Sequence, residues 1–414
     1  KKKFQLIREK IMKENQLNMV ENINVLVISH MYPSNFNEMS GIFVHEQVKS
    51  LLENGCRVKV VSPVPWAPFP INKTTNKWKR YSKIPYKDIK DSVEIYHPRY
   101  LEFPKGILFD KSGYFMSKGM NSTISKIWLN FKFNIIHSNV ALPDGYGAMI
   151  INKKYNVPHI VTVHGQDFQN TINRNSKCKS SVFKVLNSVD RIITVSRKLS
   201  ALVKKEKFYN KIDVVNNGID RKFINRNYIE NKFNGKIKIL SVSNLKKAKG
   251  IHINLEAINQ LKNKYSNIQY DIIGEGEFEY KLKNLVKNLK LENIVNFLGK
   301  KSHNEVISCM SNYNIFSLPS YNEGFGMVYI EAMSQGIPVI GVKGEGIEDV
   351  IENGYNGFLV NRKDIDSLVN TLDILIKDDR KRNEVGINGK NTVINNFTWD
   401  DNAKKVIKLY KEFL

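Results

Sequence analysis

Ser320-Tyr-Asn-Glu-Gly-Phe-Gly-Met-Val-Tyr-Ile-Glu331 sets two carboxylates, Glu323 and Glu331, eight positions apart with Gly-Phe-Gly directly after the first. The apolar run Ile315-Phe-Ser-Leu-Pro319 before it reads as a buried strand that stops at a proline. Residues 327–335 after it read as a helix closed by Gly336 and Pro338. Gly324 and Gly326 let the backbone approach a ligand, so the N–H groups opening the helix can meet an anion. Eight residues is close to two helical turns, which predicts Glu331 on the same side as Glu323. Such a site would hold a phosphate on backbone N–H groups and hydroxyls on two acidic side chains, the chemistry of a nucleotide sugar. The plainer alternative is a strand-turn-helix unit with two solvated glutamates.

Outward from this stretch, strands and helices alternate. The runs Val25-Leu-Val-Ile28, Val58-Lys-Val-Val-Ser62, Ile135-Ile-His137, Ile160-Val-Thr-Val163 and Ile192-Ile-Thr-Val195 read as short buried strands, with helical patterns between them at 44–54 and 146–155. A second series follows in Lys238-Ile-Leu-Ser-Val242, Tyr270-Asp-Ile-Ile273, Val295-Asn-Phe-Leu298, Asn314-Ile-Phe-Ser-Leu318, Pro338-Val-Ile340 and Gly357-Phe-Leu-Val360. This is the pattern of two doubly wound parallel sheets in tandem, with ligands expected at the carboxyl ends of the strands. The 414 residues suffice for two domains of about 200 residues each. The expected organisation is an N-terminal extension over 1–21, a first domain over 22–217, a second over 218–396, and a last helix over 397–414.

These motifs resemble the retaining GT-B glycosyltransferases of family 4. The spaced glutamates, Glu331-Ala-Met333 and Gly336-Ile-Pro-Val-Ile340 are joined in the family's order by Val163-His-Gly-Gln-Asp167, Asn217-Gly-Ile-Asp220, Lys249-Gly250, Ile273-Gly-Glu-Gly276 and Asn353-Gly-Tyr-Asn-Gly-Phe358. The resemblance runs from about residue 22 to the end. Ser29-His-Met-Tyr-Pro33, Gly41-Ile-Phe-Val-His-Glu-Gln47 and Ser62-Pro-Val-Pro-Trp-Ala-Pro68 look most like the branch that makes teichuronic acid and other envelope polysaccharides. It implies an α/β GT-B fold, two Rossmann-like domains facing each other across a cleft, with the last helix crossing back to the first domain. It also implies transfer of a hexose from a nucleotide-diphosphate sugar, UDP favoured over GDP, to a glycan or polyprenyl-linked acceptor.

Residue by residue, the resemblance assigns Lys249 to the diphosphate, Glu323 to the donor sugar and Glu331 to the ribose hydroxyls. His164 is placed near the donor sugar. Catalysis then rests on His164, Lys249 and Glu323. Gly41, Asn244, Gly274, Gly276, Gly324, Phe325, Gly326, Met327 and Val328 complete the expected donor site. Relatives carry an arginine where this chain has Asn244, which donates a hydrogen bond but no charge. Lys246 or Lys247 could substitute for it. His45, His137 and Asp167 are acceptor-side candidates, with core or helix-face packing the alternative for the two histidines. Asp167 could instead orient His164. No side chain is placed as a nucleophile, so the retaining outcome points to same-face attack with the leaving phosphate as base. No Asp-x-Asp pair stands beside these motifs, so no metal and no resident cofactor is expected. Two other functions fit less well: a sugar-nucleotide epimerase on a similar scaffold, and an inert accessory subunit, for which Asn244 is the one supporting feature.

Composition narrows the partners. Hydrophobic content is 42%, and no apolar run of about 18 residues suggests a membrane span. The charged, coreless opening stretch does not read as a secretory signal. The three cysteines lack metal or disulfide spacing, which fits a reducing cytoplasm. The net charge of +24 comes without a nucleic-acid motif, so no nucleic acid is expected. Between residues 73 and 90, Lys73, Lys77, Lys79, Arg80, Lys83, Lys87 and Lys90 face only Asp88 and interleave with Trp78, Tyr81 and Tyr86. That mixture suits either an anionic lipid surface at the inner face of the plasma membrane or a solvated loop.

Overall fold

The computed structural model describes residues 23–70, 73–224 and 235–414. The expected extension over 1–21 lies outside them. The chain divides into two compact units. One comprises the chain up to Val195 with Leu199–Val215 and Trp399–Leu414, and the other comprises Ser196–Lys198 and Asn216–Thr398.

The first unit holds an eight-stranded sheet: β1 (Asn24–Ile28), β2 (Arg57–Val61), β4 (Lys87–Lys90), β5 (Val93–Tyr96), β7 (Ile135–Asn139), β8 (His159–Val163), β9 (Arg191–Thr194) and β10 (Ile212–Val214). Its order is β10-β9-β8-β7-β1-β2-β5-β4, parallel except for the antiparallel edge pair β4–β5. β3 (Val64–Pro65) and β6 (Arg99–Tyr100) form a separate small pair. β1 is apolar after its first residue because both of its faces are covered. Val25 and Val27 pack with Val44, Val48 and Leu51 of helix Ile42–Glu53 and with Val406 and Tyr410 of the last helix, Trp399–Tyr410. Leu26 and Ile28 pack on the other side with Met116, Met120 and Ile124 of helix Ser112–Asn130. Each such buried aliphatic side chain contributes roughly 1.5–3 kcal/mol. The last helix is tied into this unit by polar bonds too, Gln47 Nε2 donating to Asn402 Oδ1 at 2.8 Å and Asn54 Nδ2 to Asp400 Oδ1 at 3.0 Å.

The second unit holds a six-stranded, wholly parallel sheet of β11 (Ile237–Val242), β12 (Ile268–Ile273), β13 (Val295–Phe297), β14 (Ile315–Ser317), β15 (Val339–Val342) and β16 (Phe358–Val360), in the order β13-β12-β11-β14-β15-β16. Chain order therefore reverses between β7 and β1 in one sheet and between β11 and β14 in the other. In open parallel sheets these switch points are where ligands enter. Beneath the second one, the two N–H donors of buried Asn254 Nδ2 are shared among Ser241 Oγ (3.1 Å), Tyr270 OH (3.0 Å) and the Ser317 carbonyl (3.0 Å), and its Oδ1 accepts from Ser317 Oγ (2.7 Å). A cluster satisfied this fully holds helix Ile251–Leu261 in one register under β11 and β14.

The basic stretch 73–90 is built rather than looped. Thr75 accepts from the Trp78 N–H and caps a short helix, Asn76–Ser82, that has no buried residue. Lys77 lies over the rings of Trp78 and Tyr81. The rest of the segment includes β4, an edge strand guarded by lysines. No helix among the described residues is long and apolar enough to cross a membrane.

Candidate functional site

In the second unit the turns after β11, β12 and β14 crowd together at the switch point, and glycines make this possible. A Cβ on Gly250 would lie 2.1 Å from the Pro319 carbonyl oxygen, and one on Gly274 would lie 1.9 Å from that of Ser243. Both residues also have positive φ. Gly276 meets Leu245 in the same way. The result brings Lys249, at the end of the turn Lys247–Lys249, onto the loop after β14, where its Nζ donates to Glu323 Oε2 at 2.6 Å. Ser320 Oγ donates to the same oxygen at 3.1 Å.

The Glu323 loop is pinned on its backbone. Its N–H donates to Glu345 at 2.7 Å, its carbonyl accepts from Lys198 Nζ at 2.9 Å, and the Gly324 carbonyl accepts from Ser196 Oγ at 2.6 Å. Lys198 also pairs with buried Glu345. Helix Met327–Ser334 then opens behind Gly326 at φ 90°. Its first N–H groups, Met327 and Val328 among them, have no intrahelical carbonyl to bond. Phe325 is buried, and its ring anchors the loop that its backbone continues.

Glu323 therefore precedes the helix that carries Glu331, as the reading of 327–335 as a helix expected, so the eight-residue spacing does not measure two turns of one helix. Each glutamate has its own basic partner. Glu331, buried, bonds His303 Nε2 through Oε1 at 2.9 Å. His303 opens helix His303–Met310, which Ser302 and Glu305 cap reciprocally, and its ring meets Phe223 edge to face with centroids 5.2 Å apart. Asn244, Lys246 and Lys247 are exposed beside this site, and none of the three is bonded to Glu323.

In the first unit, His164 follows β8 and packs on Phe43 with ring centroids 4.5 Å apart. Its Nε2 meets Asn139 Oδ1 at 2.8 Å, which assigns the proton to Nε2. Nδ1 is enclosed without a hydrogen-bond partner. Burial, with His137 nearby, pushes its pKa down to about 3, so the imidazole is neutral at ordinary pH. Gly41, with φ 62°, caps helix Ile42–Glu53 and lies against the Met31 carbonyl.

Three acceptor-side expectations need correction. Asp167 is fully buried and does not orient His164. It accepts the N–H groups of Ala141 (3.0 Å) and Leu142 (3.3 Å), one on each oxygen, and so holds the turn after β7. His137 is a core histidine bonded to Tyr410 OH (2.5 Å) and Thr162 Oγ1 (2.7 Å). Burial lowers its pKa to about 4. His45 is buried between Tyr32 OH (2.9 Å) and Asp91 (2.8 Å).

Sequence reasoning passed over His303, Lys198, Glu345, His30 and Asp144. The capping box Ser302-x-x-Glu305 marked a helix start and could have exposed His303. His30 stood inside a quoted motif without a role. The others share no local signal with their partners.

Known proteins supply the context. Residues 225–392 match the model of glycosyl transferases group 1, and residues 40–223 that of Glycosyltransferase Family 4. An uncharacterized glycosyltransferase of Methanocaldococcus jannaschii is 31% identical over 67% of this chain and 75% of its own. A Bacillus subtilis glycosyltransferase named for teichuronic acid biosynthesis, TuaC, is 23% identical over 94% and 98%. An Escherichia coli UDP-Gal:alpha-D-GlcNAc-diphosphoundecaprenol alpha-1,3-galactosyltransferase is 28% identical over 71% and 79%. Among solved structures, a sucrose-phosphate synthase of Thermosynechococcus elongatus superposes with a TM-score of 0.75 at 19% identity, covering 94% of this chain and 98% of its own. Anabaena HepE in complex with UDP and glucose superposes with a TM-score of 0.70 at 16% identity, covering 94% and 100%. With both family models matched and the first relative sharing nearly a third of its aligned residues, this chain belongs to family 4 of the glycosyltransferases and has the two-domain GT-B fold.

Proposed function

We propose that the protein transfers a hexose from a UDP-sugar, with retention, to a hydroxyl of a lipid-linked glycan during envelope or exopolysaccharide synthesis. The observation that carries this reading is the switch point of the second sheet, where Lys249 and Glu323 stand at 2.6 Å beside a helix start and Glu331 is held by His303. A leaving diphosphate gains negative charge as the glycosidic bond breaks, and a preorganised ammonium beside free helix N–H groups is the device that stabilises it. Glu331 would take a ribose hydroxyl on its second oxygen while His303 holds the first. Glu323 would accept a hydroxyl of the donor sugar and share Lys249 with the diphosphate.

In the reaction the bond from C1 to the UDP oxygen breaks and a bond from C1 to the acceptor oxygen forms on the same face. The acceptor proton passes to the departing phosphate. His164, neutral through its depressed pKa and with Nε2 held by Asn139, would offer only Nδ1, as an acceptor, and would not give a proton. No metal enters this scheme. Support for UDP comes from HepE, solved with UDP and glucose, and support for a polyprenyl-linked acceptor from the name of the E. coli relative. TuaC supports an envelope polysaccharide.

We place the enzyme in the cytoplasm, on the inner face of the plasma membrane. The support is the uncovered lysine-rich helix Asn76–Ser82 together with exposed Phe69 (73%) and Trp66 (55%) earlier in the same unit. Each lysine at an anionic surface contributes on the order of 1 kcal/mol. Replacing Lys77, Lys79, Arg80 and Lys83 with glutamine should release the protein from phosphatidylglycerol vesicles. Equal sedimentation of mutant and wild type at low salt would remove the membrane from the proposal.

The central test is thermal stabilisation by a panel of nucleoside diphosphates and their sugars, followed by product analysis on polyprenyl-diphosphate-linked sugars. UDP should stabilise more than GDP, and the product should keep the donor's anomeric configuration. An inverted product overturns the retaining mechanism, and stabilisation by no nucleotide overturns the donor site.

A further inference from the structure

The switch point of the first sheet has a built cavity of its own. It measures about 440 Å³ and is lined by His30 after β1, by Val140, Leu142 and Pro143 after β7, and by Gln166, Asn170 and Arg174 after β8, among others. His30 is not a passive wall. Its Nδ1 meets both oxygens of fully buried Asp144 at 2.9 and 3.0 Å, and its backbone N–H donates to the same carboxylate at 3.1 Å. Because Nδ1 is tied inward, Nε2 is the nitrogen the ring offers to the cavity. Burial works against a charge on this imidazole. Asp144 outweighs it through both its charge and its hydrogen bond, with Glu102 and Asp167 adding to the effect, and His30 keeps its proton to a higher pH than a free histidine.

Arg174 supplies the second cation. Its guanidinium lies 4.9 Å over the Phe109 ring and donates from Nη2 to the Gly106 carbonyl at 3.0 Å, which fixes the planar group and leaves further N–H donors. The carboxylates around the cavity are already engaged elsewhere. Asp144 is bonded to His30, Asp167 to two backbone N–H groups, and Glu102 to Tyr100 OH. Gln166, Asn170 and Thr171 add neutral polar groups, and Met31, Phe109, Leu142 and Pro143 make the apolar part of the wall. Beyond Gly106 the chain continues into Ile107 and Leu108, both exposed.

We infer that this cavity binds an oxyanion of the acceptor, held between His30 Nε2 and the Arg174 guanidinium, and that Asp144 positions His30 for it. The inference rests on the glycosyltransferase reading and goes further by naming the group that selects the acceptor. The oxyanion can belong to the diphosphate of a lipid-linked acceptor or to the carboxylate of an acidic sugar. Both offer the multiply accepting oxygen edge that a guanidinium matches.

The test is calorimetry on the full chain saturated with UDP, so that the donor site is filled. Three probes are used: inorganic pyrophosphate, geranyl diphosphate and methyl glucuronide. Pyrophosphate or geranyl diphosphate binding identifies a phosphate source, and glucuronide binding alone identifies an acidic sugar. Arg174→Gln should weaken the bound probe at least tenfold while UDP affinity stays unchanged. His30→Gln should do the same, and if loss of the imidazole over buried Asp144 unfolds the protein, Arg174→Gln decides, since Arg174 is exposed. No saturable binding of any probe by wild type, or binding that Arg174→Gln leaves intact, overturns the inference. Failure of the glycosyltransferase reading has a different sign, because UDP itself would then not bind.

Discussion

The two switch points solve a similar electrostatic problem with different materials. In the second unit an ammonium and a carboxylate, Lys249 and Glu323, meet on glycine-rich turns and stay partly open to solvent. In the first unit the acids are fully buried, Asp144 under His30 and Asp167 under two backbone amides, and the basic groups His30 and Arg174 line the cavity. A partly exposed pair can exchange partners when a ligand arrives, because its charges keep some hydration. A buried carboxylate cannot, since stripping its partners leaves an uncompensated charge in a low dielectric. The comparison therefore separates residues still free to exchange partners with a ligand from residues that hold the frame.

The sharpest way to break this contrast is Lys249→Ala. Turnover should fall about a hundredfold, roughly 2.7 kcal/mol of barrier, with little change in unfolding stability. If kcat stays within about threefold of wild type, Lys249 does not serve the diphosphate. Glu331→Ala comes next, with nucleotide affinity weakened by roughly 1.5–3 kcal/mol in calorimetry. Unchanged affinity would remove the ribose assignment, and His303→Ala should reproduce part of the loss by releasing the carboxylate from its fixed position.

Asp167→Asn probes the frame instead. An amide oxygen can serve one of the two N–H donors well but presents an NH₂ to the other, so denaturant unfolding should show a loss of about 1–3 kcal/mol. Burial raises the Asp167 pKa to about 6 from an ordinary 3.8, against the pull of the two amides. Between those values the folded state holds the proton that the unfolded state has lost, so this group's contribution is present below 3.8 and is lost as pH rises through about 6. The asparagine variant should lack that slope, and an unaltered pH profile would show that Asp167 does not set it. The smallest effect is reserved for Asn244→Arg, which should tighten UDP a few-fold by adding a charged donor. No change would mean that this exposed position does not face the phosphates.

Much of the architecture was legible in the chain. Continuous apolar runs such as Val25-Leu-Val-Ile28 announce strands covered on both faces, and their alternation with helical patterns announces parallel sheets. The antiparallel edge strand β4 was not legible, because its residues, Lys-Asp-Ile-Lys, are those of a guarded edge and carry no apolar run. At the candidate site, Glu323, Glu331 and Lys249 stood out through the glycines near them. His303 and Lys198 did not, because they lie 28 and 125 residues from the groups they bond.

By itself the sequence determined the fold class, the family and the turns on which a ligand would rest, since those depend on periodicity and on backbone space, which are local properties. Only the tertiary structure decided the role of each ionisable side chain. Asp167 and His137 have the residue types of a catalytic site, yet their partners come from other elements of the sheet and from the last helix, and occupy the positions they would offer a substrate. His30 and Asp144, 114 residues apart, become a pair only because β1 and β7 are neighbours in the sheet. A side chain's charge and availability are set by what surrounds it in space, and that is decided when the strands take their order.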